Sequence, residues 1–237
     1  MNVLSIGNSF SQDAQRYLHN LAEKDGFNMR TINLYIGGCS LRTHYLNMLD
    51  DEKAYGYEFN GEGTGLKVSM REVLKSCGWD IITLQQVSYA SPNYSSFSPY
   101  LEELAKYVRK YVPTAKIYMH QTWAYEKNCE RLDNLKMSDS QMIKCNIESY
   151  EKAAKLINAD GIIKSGEAMY ELSKTSTKVH RDTVHASHGL GRYLLALTWY
   201  KTLTGRNIDN IDFNNFDEEV SEEQRKLAIN AVNKIVK

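Results

Sequence analysis

Val3-Leu4-Ser5-Ile6-Gly7-Asn8-Ser9-Phe10 is the stretch on which the fold turns. A short apolar run breaks at a glycine, and an amphipathic segment, Gln12-Asp13-Ala14-Gln15-Arg16-Tyr17-Leu18, follows at once. That is the pattern of a strand, a tight turn and a helix. The alternation recurs along the whole chain. Strands are predicted at Val3–Ile6, Met29–Ile36, Asp80–Leu84, Lys116–His120 and Gly161–Ile163. Helices are predicted at Asp13–Lys24, Val68–Ser76, Ser98–Tyr111, Ser138–Ile157, Gly166–Leu172, Gly189–Leu203 and Ser221–Val236. The strands are apolar on both faces, as in a parallel sheet covered by helices. Residues 1–237 therefore read as a single three-layer α/β/α domain.

Local chemistry supports several boundaries. Ser138-Asp139-Ser140 supplies a cap to a long periodic stretch, Pro99 falls in a first helical turn, and Gly205 stops the helix before it. Two segments interrupt the alternation. Asp50 to Gly65 is polar and rich in Tyr and Gly, and reads as a hairpin or surface loop. Its Gly61-Glu62-Gly63-Thr64-Gly65 run lacks the Lys-Ser/Thr ending of a phosphate loop. Glu126 to Lys136 is charged and reads as a rim.

Composition excludes several classes of function. The 29 Lys and Arg balance the 29 Asp and Glu, so no basic stripe marks a nucleic-acid partner. No apolar run approaches the roughly 20 residues that a membrane helix needs, and Val3–Ile6 is too short for a secretory core. The four cysteines, Cys39, Cys77, Cys129 and Cys145, are widely spaced with no CxxC pair. They suit reduced thiols in a cytoplasmic protein.

Chemistry concentrates at strand ends, where open parallel sheets build their sites. Ser9 lies at the end of the first strand, close to the free N–H groups of a helix start. Alone it reads as readily as a helix cap, although Ser11 is a rival cap that frees it. Late in the chain comes Arg181-Asp182-Thr183-Val184-His185-Ala186-Ser187-His188. A serine hydroxyl needs a base, and the base needs a carboxylate to orient it. The three-residue spacing lets Asp182 meet Nδ1 of His185, with Nε2 turned to Ser9. His180, Asp182, His185 and His188 also form a possible metal cluster, though not with zincin spacing. After the second strand, Gly37-Gly38-Cys39-Ser40 offers an exposed backbone N–H to an oxyanion. Gln85-Gln86-Val87-Ser88, after the third, offers a side-chain amide. His120-Gln121-Thr122-Trp123-Ala124-Tyr125, after the fourth, offers an aromatic rim for a hydroxyl-rich ligand.

From Ile6 to about Gly205 the pattern resembles the SGNH (GDSL-type) hydrolases. Gly7-Asn8-Ser9-Phe10 is similar to their first block, Gly-Asp-Ser-Leu, and Gly38-Cys39-Ser40 to the second. Asp182-Thr183-Val184-His185 is similar to the fifth. The third block, Gly-x-Asn-Asp, is absent, and Leu84-Gln85-Gln86-Val87-Ser88 stands in its place. That variant, with His-Gln-Thr-Trp later, resembles the DUF4886 branch. It is also similar to the Gln-Gly-Glu-Ser segment of sialate and xylan acetylesterases.

The resemblance implies a flavodoxin-like sheet of five parallel strands, no cofactor and no metal. It implies a serine esterase acting on acyl, chiefly acetyl, esters of small molecules or oligosaccharides. The expected catalytic residues are Ser9, His185 and Asp182. The expected oxyanion donors are the N–H groups of Ser9 and Gly38 with Gln85 or Gln86. His120, Trp123 and Tyr125 are expected to bind substrate. Two alternatives stand beside this reading: a non-catalytic carbohydrate-binding relative, and a metal-assisted phosphoester hydrolase using Asp182, His185 and His188.

Overall fold

The structure, a computed structural model, describes residues 1–237. The elements run β1 (Asn2–Gly7), α1 (Ser9–Gln15), α2 (Leu18–Lys24), β2 (Arg30–Tyr35), α3 (Leu41–Asp50), β3 (Tyr55–Phe59), β4 (Glu62–Val68), α4 (Met70–Leu74) and β5 (Ile81–Leu84). Then come α5 (Tyr100–Tyr111), β6 (Lys116–His120), α6 (Glu130–Leu135), α7 (Asp139–Leu156), β7 (Gly161–Ile163), α8 (Ser165–Ser173), α9 (Leu190–Thr204) and α10 (Glu222–Ile235). All seven strands join one sheet in the order β4-β3-β2-β1-β5-β6-β7.

The five predicted strands pair in parallel. The expectation of five strands is corrected to seven, because residues 55–68 form a hairpin that docks antiparallel on β2. β4 is an exposed edge strand, so no apolar face marks it in the sequence. β3 buries Tyr55 and Glu58, three residues apart across one pairing irregularity, so it lacks the two-residue period of a strand.

Alternation along the strands divides the core. Val3 and Ile81 face a cluster with α1, α2, α8, α9 and α10, while Leu4, Ile6, Ile82 and Leu84 face one with α3, α4, α5 and part of α7. Polar side chains interrupt the first face. Ser5 accepts hydrogen bonds from Gln15 Nε2 (2.6 Å) and Thr83 Oγ1 (2.8 Å) beneath α1. No helix is long and apolar enough to cross a membrane.

Two local differences bear on the site. The predicted Asp13–Lys24 helix is two helices, and the first begins at Ser9. Asn8, not Ser9 or Ser11, is the cap: its Oδ1 accepts from the Phe10 N–H at 3.0 Å, and its own N–H reaches Ser11 Oγ at 3.1 Å. Helix α3 was not anticipated. Its cap is Ser40, whose Oγ accepts from the Thr43 N–H at 3.2 Å, and it buries Leu41, His44 and Met48.

Candidate active site

β1 ends at Gly7 and the chain turns sharply through Asn8 into α1. A Cβ on Gly7 would lie 2.2 Å from Ser11 Oγ and 2.9 Å from Gln85 Oε1, so only glycine fits between them. Ser9 thus occupies the first turn of α1 with no capping duty. Its Oγ lies 2.8 Å from His185 Nε2. His185 Nδ1 lies 2.8 Å from Asp182 Oδ2. The other carboxylate oxygen accepts the N–H groups of His185 (2.8 Å) and Val184 (3.2 Å). Partial burial raises the Asp182 pKa, but these bonds from His185 and Val184 outweigh it and hold the carboxyl down to about 2. An ionised Asp182 requires the proton on Nδ1, which leaves the Nε2 lone pair facing the serine hydroxyl.

The loop carrying Asp182 and His185 is held on every side. The Arg181 N–H donates to the His185 carbonyl (3.0 Å) and the Ser187 N–H to that of Val179 (2.8 Å). The Glu126 N–H holds the Thr183 carbonyl (2.8 Å), and Trp123 Nε1 holds that of Val184 (2.8 Å). These contacts keep Thr183, a β-branched residue, at φ 68° in the left-handed region. Below the loop, Arg181 Nη1 bonds both oxygens of the fully buried Asp13, each at 2.9 Å. Arg192 Nε joins Asp13 at 2.9 Å and its Nη1 joins Asp217 at 2.7 Å. Arg16 binds Asp217 from the other side, at 2.6 and 2.8 Å. The Arg16 hydrogen bond, more than any other contact, holds the Asp217 carboxyl down to about 2. The ionic chain therefore ties the Arg181–Ala186 loop to α1, α9 and the segment after α9. Sequence reasoning missed Arg181, Asp13 and Arg192. The available signal was an Asp on the inner side of the first helix, which must find a cation when buried.

The remaining expected residues separate into two groups. Gly38 is exposed at φ 63°, at the carboxyl end of the sheet, and its N–H makes no hydrogen bond within the chain. A free backbone N–H is what the oxyanion reading asks of it. The Gln amides are not free. Gln85 Nε2 donates to Asn8 Oδ1 (2.8 Å), and its Oε1 faces His120 Nδ1 (2.8 Å). Gln86 Nε2 donates to Ser96, and its Oε1 accepts the N–H groups of Leu41 (3.0 Å) and Val87 (2.9 Å). Both amides are buried and braced against the protein, so neither is the exposed side-chain donor expected from the sequence. The expected aromatic rim is likewise corrected. His120, Trp123 and Tyr125 are buried. Trp123 stacks on Phe10 at 3.9 Å, behind His185, and Tyr125 pairs with Ser88 Oγ at 3.0 Å. Apolar rings next to a helix start are drawn into packing, and the carbonyl-bonded indole of Trp123 lets it go fully inside.

The possible metal cluster is also dispersed. His180 Nε2 turns to the Ala124 carbonyl (3.1 Å) and His188 Nδ1 to Glu218 (3.1 Å). No three His, Cys, Asp or Glu side chains are grouped to hold an ion. A cleft of about 390 Å³, lined by Tyr125, Glu126, Asp139, Tyr170, Lys178 and His180, lies behind the loop; Ser9, Asp182 and His185 do not line it.

The mostly parallel sheet flanked by helices is the fold of the SGNH hydrolases. The sequence from residue 2 to residue 235 matches the family described as a domain of unknown function, DUF4886, and the chain belongs to that family. A DUF4886 protein from Bacteroides uniformis is 34% identical, covers 100% of this chain and 94% of its own, and superposes with a TM-score of 0.93. A candidate SGNH hydrolase from Slackia heliotrinireducens is 21% identical over 86% of this chain and 98% of its own, with a TM-score of 0.62. An acetylxylan esterase from Geobacillus stearothermophilus is 16% identical over 84% of this chain and 92% of its own, with a TM-score of 0.57. No curated protein matches the sequence.

Proposed function

We propose that this chain is a serine esterase that removes small acyl groups, chiefly acetyl, from hydroxyl-rich substrates such as oligosaccharides. One observation carries the reading: the unbroken chain from Ser9 Oγ through His185 to Asp182, with both links at 2.8 Å. Ser9 Oγ attacks the acyl carbonyl carbon while its proton passes to His185 Nε2. Asp182 holds the tautomer and stabilises the imidazolium. The negative oxygen of the tetrahedral intermediate lies between the Ser9 and Gly38 N–H groups. Collapse breaks the bond to the alcohol oxygen, which takes the proton from His185. Water then adds to the acyl-serine by the same route and frees the acid.

The preference for acetyl and for sugars rests on the fold neighbours, among which are acetylxylan esterases. A cytoplasmic setting suits the four free thiols. The test is a panel of p-nitrophenyl esters from acetate to octanoate, with acetylated xylo-oligosaccharides as a second arm. Acetate is expected to leave both, and the acetate ester to turn over at least about tenfold faster than the octanoate, the scale of discrimination a few methylenes allow. Sugar binding without release of acid from any ester would favour the non-catalytic carbohydrate-binding alternative instead.

A further inference from the structure

Three residues stand level at the carboxyl ends of neighbouring strands. Ile6 pairs with Leu84 and Leu84 with Met119, so the next positions, Gly7, Gln85 and His120, share one register level across β1, β5 and β6. Gly7 has no side chain, and Ser11 Oγ fills the space a Cβ would take, with Gln85 Oε1 beside it. From His120 through Gln85 runs a chain of hydrogen bonds. His120 Nδ1 meets Gln85 Oε1 at 2.8 Å, Gln85 Nε2 meets Asn8 Oδ1 at 2.8 Å, and Asn8 Nδ2 meets the Cys39 carbonyl at 3.0 Å.

The direction of every link is fixed by chemistry. Asn8 Oδ1 must accept, because the Phe10 N–H points at it at 3.0 Å. Asn8 Nδ2 then donates to Cys39, and Gln85 presents Nε2 to Asn8 and Oε1 to His120. His120 Nδ1 must therefore carry a proton, and burial, which pushes the pKa down to about 3, leaves Nε2 without one. Asn8, Gln85 and His120 are all buried, so no water replaces a broken link. Gln86 grips the same turn from its far side through the Leu41 N–H.

We propose that Gln85 and His120 are positioning residues: with Asn8 they form a strut that holds the Gly38–Cys39 turn at a fixed distance from the start of α1. That distance sets the Ser9 and Gly38 N–H groups that face the oxyanion. The inference rests on the esterase reading above. It gives a role to the two segments that depart from the SGNH pattern: their amide and imidazole act one layer behind the oxyanion, through the main chain.

The test compares His120→Phe, His120→Asn and Gln85→Met in the full chain. Asn places an amide N–H where Nδ1 stood, so it keeps the link; Phe fills the space without it. With p-nitrophenyl acetate, His120→Phe should lower kcat about 10- to 100-fold, somewhat less than outright loss of an oxyanion donor. KM should stay within about twofold, and His120→Asn should recover kcat to within about threefold. The Gly38 amide signal in a ¹H–¹⁵N spectrum should move in His120→Phe and return in His120→Asn. Gln85→Met should behave as His120→Phe does, and it carries the test if the phenylalanine variant fails to fold. A kcat within twofold of wild type with an unmoved Gly38 amide in either disrupting variant overturns the strut. So does a His120→Asn enzyme as impaired as His120→Phe, which would mark a loss of packing. If wild type turns over no ester yet the Gly38 amide moves and returns as described, the strut stands and the esterase reading falls.

Discussion

Ser9→Ala is expected to lower kcat on p-nitrophenyl acetate by about 10⁴-fold or more, the scale of losing a triad nucleophile. Its melting temperature should stay within about 1 °C of wild type. The two halves of this result belong together. Ser9 sits in the first turn of α1, where alanine is well tolerated, and its only side-chain hydrogen bond is to His185. The cap of that helix is Asn8. Had Ser9 been the cap, its removal would cost about 1 kcal/mol and lower the melting temperature by about 2–4 °C in a chain of this size. Steady-state kinetics and thermal unfolding on the same preparation separate the two roles. A variant that keeps a tenth of its activity, or that melts several degrees lower, contradicts the assignment of Ser9 as nucleophile.

The largest effect on stability is expected at Asp13. The carboxylate is fully buried and holds Arg181 and Arg192, both mostly covered. Asp13→Ala leaves Arg181 without a carboxylate partner and Arg192 with Asp217 alone. Breaking a buried ion pair from one side costs about 3–5 kcal/mol, and the partial exposure of the two arginines places this case near the lower figure. The melting temperature should fall by about 6–12 °C. Arg181 precedes Asp182 directly, and its N–H also holds the His185 carbonyl. Activity at 20 °C, where the variant is still folded, should therefore fall as well, with kcat more affected than KM. Circular dichroism melting checks the first effect and single-temperature kinetics the second. A fall of less than 2 °C would mean that the network is surface decoration.

The parts of the fold that were legible are those in which burial is two-sided. Val3–Ile6 and Asp80–Leu84 are short apolar runs, and each forms a buried parallel strand as expected. The β3–β4 hairpin was ambiguous because β4 faces solvent along its whole length, so the two-residue period vanished with the buried face. Helix α1 was placed four residues late because Ser9 and Ser11 look like caps in sequence. Which of Asn8, Ser9 and Ser11 caps the helix depends on the turn at Gly7, a tertiary matter.

At the site, the residues that carry chemical roles in the main reading were found by their spacing and by their position at strand ends. Those that went astray share a cause. Gln85, Gln86, His120, Trp123 and Tyr125 also sit at strand ends, and the sequence does not reveal how much chain later folds over them. Different elements cover them: Phe10 of α1 and Val184 of the late loop enclose Trp123, Trp199 of α9 packs on His120, and Leu41, Ser96 and Tyr150 enclose Gln86. A polar or aromatic residue at that edge can face the substrate or brace the residues that do, and only packing decides between them.

The central claim is that Ser9 is a nucleophile activated by His185 and Asp182. The most direct measurement is reaction with a fluorophosphonate, followed by intact mass and peptide mapping. The account predicts one adduct per chain, on Ser9, forming at least about 100-fold more slowly in His185→Ala, where the general base is gone. No adduct on a folded chain, or an adduct on another residue, would contradict it.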